Sequence, residues 1–364
     1  MQPQMIPENR KFSPYLVFHT TCGMQIGVGA LGFQRIIANI AGYDSWQSVI
    51  ISGVVTILVM SLMYRQLEMV NGDLSDIHQF VLGKWVGKIL DIFFIVYFSM
   101  LVLTVLRTYI EVIQVWMYPD LSTFWFSLAY LLLCIYIIYG GIRTIVGITF
   151  FSFVLPFFIV YILGAAIPYG DFRHFLPLFN HSMNEIVKAA QSTTLTYLGF
   201  ETIMIYYPFI KEPNKSKKWA ILGGVFTTLL YLYMTIITFA FYGEEQLQKD
   251  IWATLTTFKI VRLPVVERFE YIGIANWCLI ILPNVCLSLW CASRLLKRTI
   301  HIKHTYTLWF ISFVVLIASP LLKKRLHIDM LNNIIGNIGF LINFIYIPII
   351  LLLVSIIKKV KKNP

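Results

Sequence analysis

About ten times over, the sequence runs through a mainly apolar stretch with few charges, most of them close to or above the roughly 20 residues a helix needs to cross the hydrocarbon core of a bilayer. The runs lie at 14–41, 46–64, 87–117, 124–139, 145–167, 184–210, 219–242, 267–296, 305–322 and 330–357. A lipid-bounded segment must satisfy its own backbone polar groups, so each run is expected to be helical. Charged residues make up 13% of the 364 residues and hydrophobic residues 58%. A soluble chain carries about 25% charged residues, so little is left to surface a soluble domain. The expected fold class is all-α integral membrane, with one domain over 1–364.

The net charge of +11 does not point to nucleic acid. The basic residues sit in short clusters at span ends, such as Lys211, Lys215, Lys217 and Lys218, and Lys358, Lys359, Lys361 and Lys362. With the N-terminus inside, about 18 Lys and Arg fall on the inner side and about 9 on the outer, which predicts both termini in the cytoplasm. Cys22, Cys134, Cys278, Cys286 and Cys291 all lie in apolar runs, where cysteine is a small packing residue. No Cys or His spacing suits a metal, and no G-x-S-x-G, P-loop or H-E-x-x-H is present. Neither a catalytic residue, a metal nor a cofactor is expected. The first run has no short apolar core with a cleavage site and reads as a retained span. Between spans 2 and 3, residues 65–85 read as a short surface helix, because Asp73, Asp76, His78 and Lys84 interrupt any spanning pattern.

Two spans carry breaks. Span 1 holds Gly23, Gly27 and Gly29 within seven residues, with Met24 and Gln25 between them. Each glycine costs a helix about 1 kcal/mol relative to alanine, so an unwound stretch is expected there. Span 6 holds Leu198, Gly199, Phe200 and Glu201 near its middle. Each break falls in the first span of a five-span half, about 12–167 and about 184–357, as in inverted-repeat transporters whose broken helices form a site at the midplane. The half-helix after Gly29 offers free N–H groups to a carboxylate, and unpaired carbonyls suit an ammonium. The bland alternative for the glycines is close helix packing.

The chain resembles the B-subunit family of the GerA-type spore germinant receptors, members of the amino acid–polyamine–organocation superfamily with the LeuT-type fold. The matching pieces are Ile26 to Gly29 with Arg35, Leu82 to Gly87, Gly140 to Arg143, Leu198 to Glu201, and Glu267 to Glu270. The resemblance implies a multi-pass protein of the spore inner membrane. It would bind a nutrient germinant, usually an amino acid, and act with A-type and C-type receptor subunits in the lipid bilayer. By position it implies a pocket formed by Gly27, Gly29, Tyr97, Leu101 and Leu198 to Glu201, with Pro283 and Asn284 facing the same cavity. Two departures stand out: Gln34 replaces a proline before Arg35, and Pro283 replaces small hydroxyl residues.

Glu201 has three open readings: contact with a ligand ammonium, a proton carrier, or a brace that accepts backbone N–H bonds at the break. Arg107 and Glu111, spaced i, i+4, are expected to form an intrahelical ion pair, and Asp91 to sit at the interface. The span at 145–167 has no lysine, which weakens a proton-coupled transport reading drawn from relatives that carry one. Trp46, Trp85, Trp116, Trp125 and Trp219 mark an interfacial belt. The functional readings are a germinant receptor subunit, an amino-acid permease, or a scaffold that binds nothing.

Overall fold

In the computed structural model, which describes residues 6–260 and 268–362, the apolar runs fold as helices and no strand is named among the described residues. Helices α1 (Leu16–Gln25) and α2 (Phe33–Ala41) are two halves of one passage, separated by a 3-10 turn, Val28–Leu31. A 3-10 corner, Gly42–Ser45, leads into α3 (Trp46–Val70). Helix α4 (Leu74–Trp116) bends sharply at Gly83, whose φ of 76° suits a residue without a β-carbon. Helix α5 (Thr123–Tyr139) is followed by α6 (Ile142–Val154) and α7 (Phe157–Leu163), divided at Pro156.

The second interrupted passage comprises α8 (Met183–Ser192), α9 (Thr194–Tyr197) and α10 (Ile203–Tyr206). Helix α11 (Pro213–Phe241) starts with proline in its first turn, where the missing N–H has no partner to lose. The loop expected after it contains two short helices, α12 (Glu244–Lys249) and α13 (Ala253–Phe258). Then come α14 (Phe269–Ile280), α15 (Leu282–Ile300) and α16 (His304–Ala318). Helix α17 (Arg325–Phe340) continues through a π-turn, Leu341–Tyr346, into α18 (Ile347–Lys362). Arg262 and Glu267, which includes the expected start of the eighth span, lie outside the described residues.

Seven helical stretches among the described residues are long and apolar enough to cross a membrane, and α5 is a shorter apolar one. With the two interrupted passages they carry the chain across about ten times. Helix α4 shows how such a rod is dressed: Ile89, Ile92, Phe93 and Val96 are exposed, whereas Phe94, Tyr97, Phe98 and Leu101 are buried. The outward stripe recurs at helical spacing and is apolar, the reverse of a water-facing helix. The central pairing sets α15 against α4, with α16, α6 and α1 also packed on α15.

Three expectations about charge need correction. The segment after α3 is no free surface helix. Its Asp73 and His78 are buried, and Arg298 bridges Asp73 and Asp76, reaching Asp76 at 2.7 Å. Asp91 is not interfacial, since it accepts from Ser75 at 2.6 Å and pairs with His78 at 2.6 Å. Arg107 and Glu111 do not bridge. Arg107 donates to the Leu322 carbonyl at 2.8 Å, and Glu111 pairs with Arg325 at 2.7 Å.

Candidate functional site between two broken helices

Helix α1 ends at Gln25 because Ile26 and Gly27 leave the helical region (Ile26 ψ 98°, Gly27 φ −130° and ψ −158°). Four carbonyls at this break are met by side chains from other elements. Asn284 Nδ2 donates to Gly23 and Met24 at 3.1 and 2.6 Å. The Tyr231 hydroxyl donates to Gln25 at 2.8 Å, and Trp277 Nε1 to Gly27 at 3.2 Å. The N–H groups of Val28 and Gly29 and the Ile26 carbonyl make no hydrogen bond among the described residues, so the break presents two free donors and one free acceptor.

The second passage breaks where Leu198 turns extended and Gly199 takes φ 109°. Glu201 folds back on this turn. One carboxylate oxygen accepts the Gly199 N–H at 2.9 Å and the other the Tyr97 hydroxyl at 2.6 Å. The two breaks touch: a β-carbon at Gly199 would stand 2.6 Å from the Met24 carbonyl oxygen.

A cavity of about 400 Å³ lies at this junction, within the range of small-molecule sites. Of the residues singled out in the sequence, Met24, Gln25, Gly27, Gly29, Leu101, Leu198, Gly199 and Asn284 line it. Gly23, Tyr97, Phe200, Glu201 and Pro283 do not line it. Tyr97 and Glu201 are bonded to each other behind the wall, and Gly23 packs on Thr149 and Pro283. The apolar pocket expected around Met24, Leu101 and Leu198 therefore has a polar complement. Thr104 of α4, Gln191 of α8, Ser288 of α15 and Asn332, Asn333 and Asn337 of α17 also line it. The α17 amides were missed, although three asparagines inside an apolar run are a readable signal.

Three buried wall atoms lack a partner within the protein: Gln25 Oε1, Asn284 Oδ1 and Thr104 Oγ1. Buried polar groups are nearly always satisfied, so these mark where a bound molecule or water completes the structure. Arg35, Lys188, Arg325 and Asp329 belong to the same lining. Arg325 is held by Glu111 and, at 2.8 Å, by Asp329, with its guanidinium over Trp252. Among the described residues no group of three or more His, Cys, Asp or Glu could hold a metal ion.

A family model described as spore germination protein matches residues 11–328. The spore germination protein GerQB of Bacillus cereus is 41% identical over 350 residues, covering 96% of this chain and 97% of its own. The chain belongs to the spore germination protein family. Spore germination protein B2 of Bacillus subtilis (strain 168) is a more distant relative, 24% identical over 260 residues, with 69% of this chain and 70% of its own covered. Among solved structures, a Na+-coupled sialic acid symporter in a substrate-bound outward-open state aligns with a TM-score of 0.65 at 13% identity, covering 91% of this chain and 77% of that one. At that identity the likeness concerns the fold alone. This spore germination protein thus has the LeuT-type transporter fold expected of the B-subunit family, and its cavity lies between the two broken passages.

Proposed function

We propose that the chain is a germinant receptor B subunit that binds a small nutrient, an amino acid, between its two broken helices. The observation that carries this reading is the cavity at the contact of the two breaks, lined by residues with free N–H donors and by unpartnered acceptors. The N–H groups of Val28 and Gly29 suit the carboxylate, at the head of a half-helix whose dipole favours an anion. Gln25 Oε1 and Asn284 Oδ1 suit the ammonium, and Met24, Leu101 and Leu198 leave room for a small aliphatic side chain. Glu201 braces the second break in this reading and does not touch the ligand.

Ligand that binds a closed arrangement of the broken helices more tightly than an open one shifts the population toward closure by its differential affinity. That shift is the signal to A-type and C-type partner subunits in the spore inner membrane. The basic clusters favour cytoplasmic termini, and the division into two five-span repeats belongs to the same reading. The second reading, an amino-acid permease, is favoured by the transporter fold shared with the sialic acid symporter.

The test is germination of spores lacking this gene against a panel of single amino acids, with a complemented strain alongside. Loss of response to one or two amino acids, restored by complementation, is the expected result. An unchanged response across the panel, together with uptake of an amino acid by reconstituted vesicles, would replace the receptor by the permease.

A further inference from the structure

Away from the cavity, a second set of buried polar atoms lies where α3, α4 and the α17–α18 rod meet. The bend at Gly83 folds the start of α4 back against its long arm, so that His78 Nδ1 lies 2.6 Å from Asp91 Oδ1 while Ser75 donates to Asp91 Oδ2 at 2.6 Å. Both side chains are sealed off, at 0% and 1% exposure. The Tyr346 ring, in the π-turn, packs beside the imidazole with ring centres 6.0 Å apart. From α3, Gln66 donates to the Ile347 carbonyl at 2.6 Å. Four atoms here lack any partner within the protein: His78 Nε2, Tyr346 Oη, Gln66 Oε1 and Asn343 Oδ1.

We propose that the His78–Asp91 pair is a proton-binding site linked to the ligand cavity through the α17–α18 rod. With its Nδ1 bonded to a carboxylate, the imidazole takes up a further proton at Nε2. An unmet lone pair there is tolerable. An unmet charged N–H is far more costly, because a buried charged group without a hydrogen bond loses its full solvation. Tyr346 Oη is a free acceptor on the neighbouring ring. Protonation therefore draws Tyr346 onto His78.

Tyr346 ends a π-turn, which holds one residue more per turn than an α-helix and marks functional positions in many helices. The same rod carries Asn332, Asn333, Gly336 and Asn337 along the cavity wall. A pull at the π-turn therefore acts on that wall, and linkage makes the effect reciprocal: a ligand bound in the cavity changes proton affinity at His78. The charged groups around the pair are Asp73 and Asp76 of α4, fixed by Arg298 with Arg294 alongside. His304 heads α16, bonded to Ser293. Arg65, Glu68 and Lys358 lie further out on α3 and α18, where Lys358 donates to the Met69 carbonyl at 2.8 Å. None of them is within salt-bridge distance of His78 or Asp91 among the described residues. The inference rests on the cavity and not on which nutrient fills it.

The test places a cysteine in the cavity wall by Asn337→Cys, in full-length protein in lipid nanodiscs. Its conversion to a mixed disulfide by a positively charged methanethiosulfonate reagent, with release of methanesulfinate, is timed, with the unsubstituted protein as blank. The rate is divided by that of the same cysteine in a His78→Gln background, which removes the thiol's own ionisation. The ratio is expected near 1 at about pH 8 and lower by at least about fivefold at about pH 5.5. A ratio that is the same at both pH values overturns the proposal. Should His78→Gln not fold, Tyr346→Phe keeps the ring and removes only the hydroxyl, and the same comparison decides.

Discussion

At Gly199 the backbone stands at φ 109°, and an added β-carbon would press to 2.6 Å from the Met24 carbonyl oxygen. Gly199→Ala is therefore expected to separate the two breaks and abolish the germination response of spores that still contain the protein at normal level, as checked by immunoblot. Gly27 behaves differently. Its extended backbone suits any residue, and an added β-carbon would meet Asn284 at an ordinary 3.7 Å, so Gly27→Ala is expected to leave the response within about twofold. The glycine cluster announced the break correctly, but spacing alone could not tell which glycine the packing requires. Asn284→Ala leaves the Gly23 and Met24 carbonyls without their donor, a change expected to lower stability by about 1–3 kcal/mol. Thermal unfolding of the purified variant in detergent measures it. Glu201 was readable from the sequence as a costly intramembrane charge. Its bond to the Gly199 N–H fits the brace reading, whereas Tyr97 lies 104 positions earlier and nothing in the chain order sets it beside Glu201.

On the scale of elements, the strongest polar joint is the one that ties the start of α4 to α15. Arg298 spans two carboxylates, and Arg294 lies with its guanidinium 4.3 Å from the centre of the Phe209 ring, near the end of the second interrupted passage. Arg298→Ala leaves buried Asp73 with its nearest cation gone, and breaking such a pair costs about 3–5 kcal/mol. A fall in the melting temperature of the detergent-solubilised protein, larger than that of Arg143→Ala in the exposed first turn of α6, is the expected outcome. The passages themselves were legible because lipid demands long apolar runs and polar breaks stand out within them. The short helix before Gly83 was legible as a helix but not as a buried one. Its Asp73, Asp76 and His78 look like solvated residues until the arginines of α15, over two hundred positions later, are placed beside them. The wall of α17 was legible in part, since asparagines in an apolar run turn away from lipid, but the run does not say which helices they face.

For the whole molecule, the two broken passages support one another across a long separation in sequence. The carbonyls of Gly23, Met24 and Gln25 receive their donors from Asn284 and Tyr231, and Tyr231 also donates to Thr196 at 3.2 Å. A protein cut in the loop between residues 170 and 180 is expected to be active only when both fragments are made together. Expression of each fragment alone and in combination, read by membrane abundance and germination, checks this.

The same dependence bears on how the chain is made. The ribosome releases the first break into the bilayer long before Tyr231 and Asn284 exist. Until they arrive, its carbonyls face hydrocarbon with nothing to bond, and each such group is costly there. The opening passage of a nascent chain is therefore held in a waiting state, sheltered by the insertion machinery or lying near the headgroups, and it settles only when α15 has been threaded.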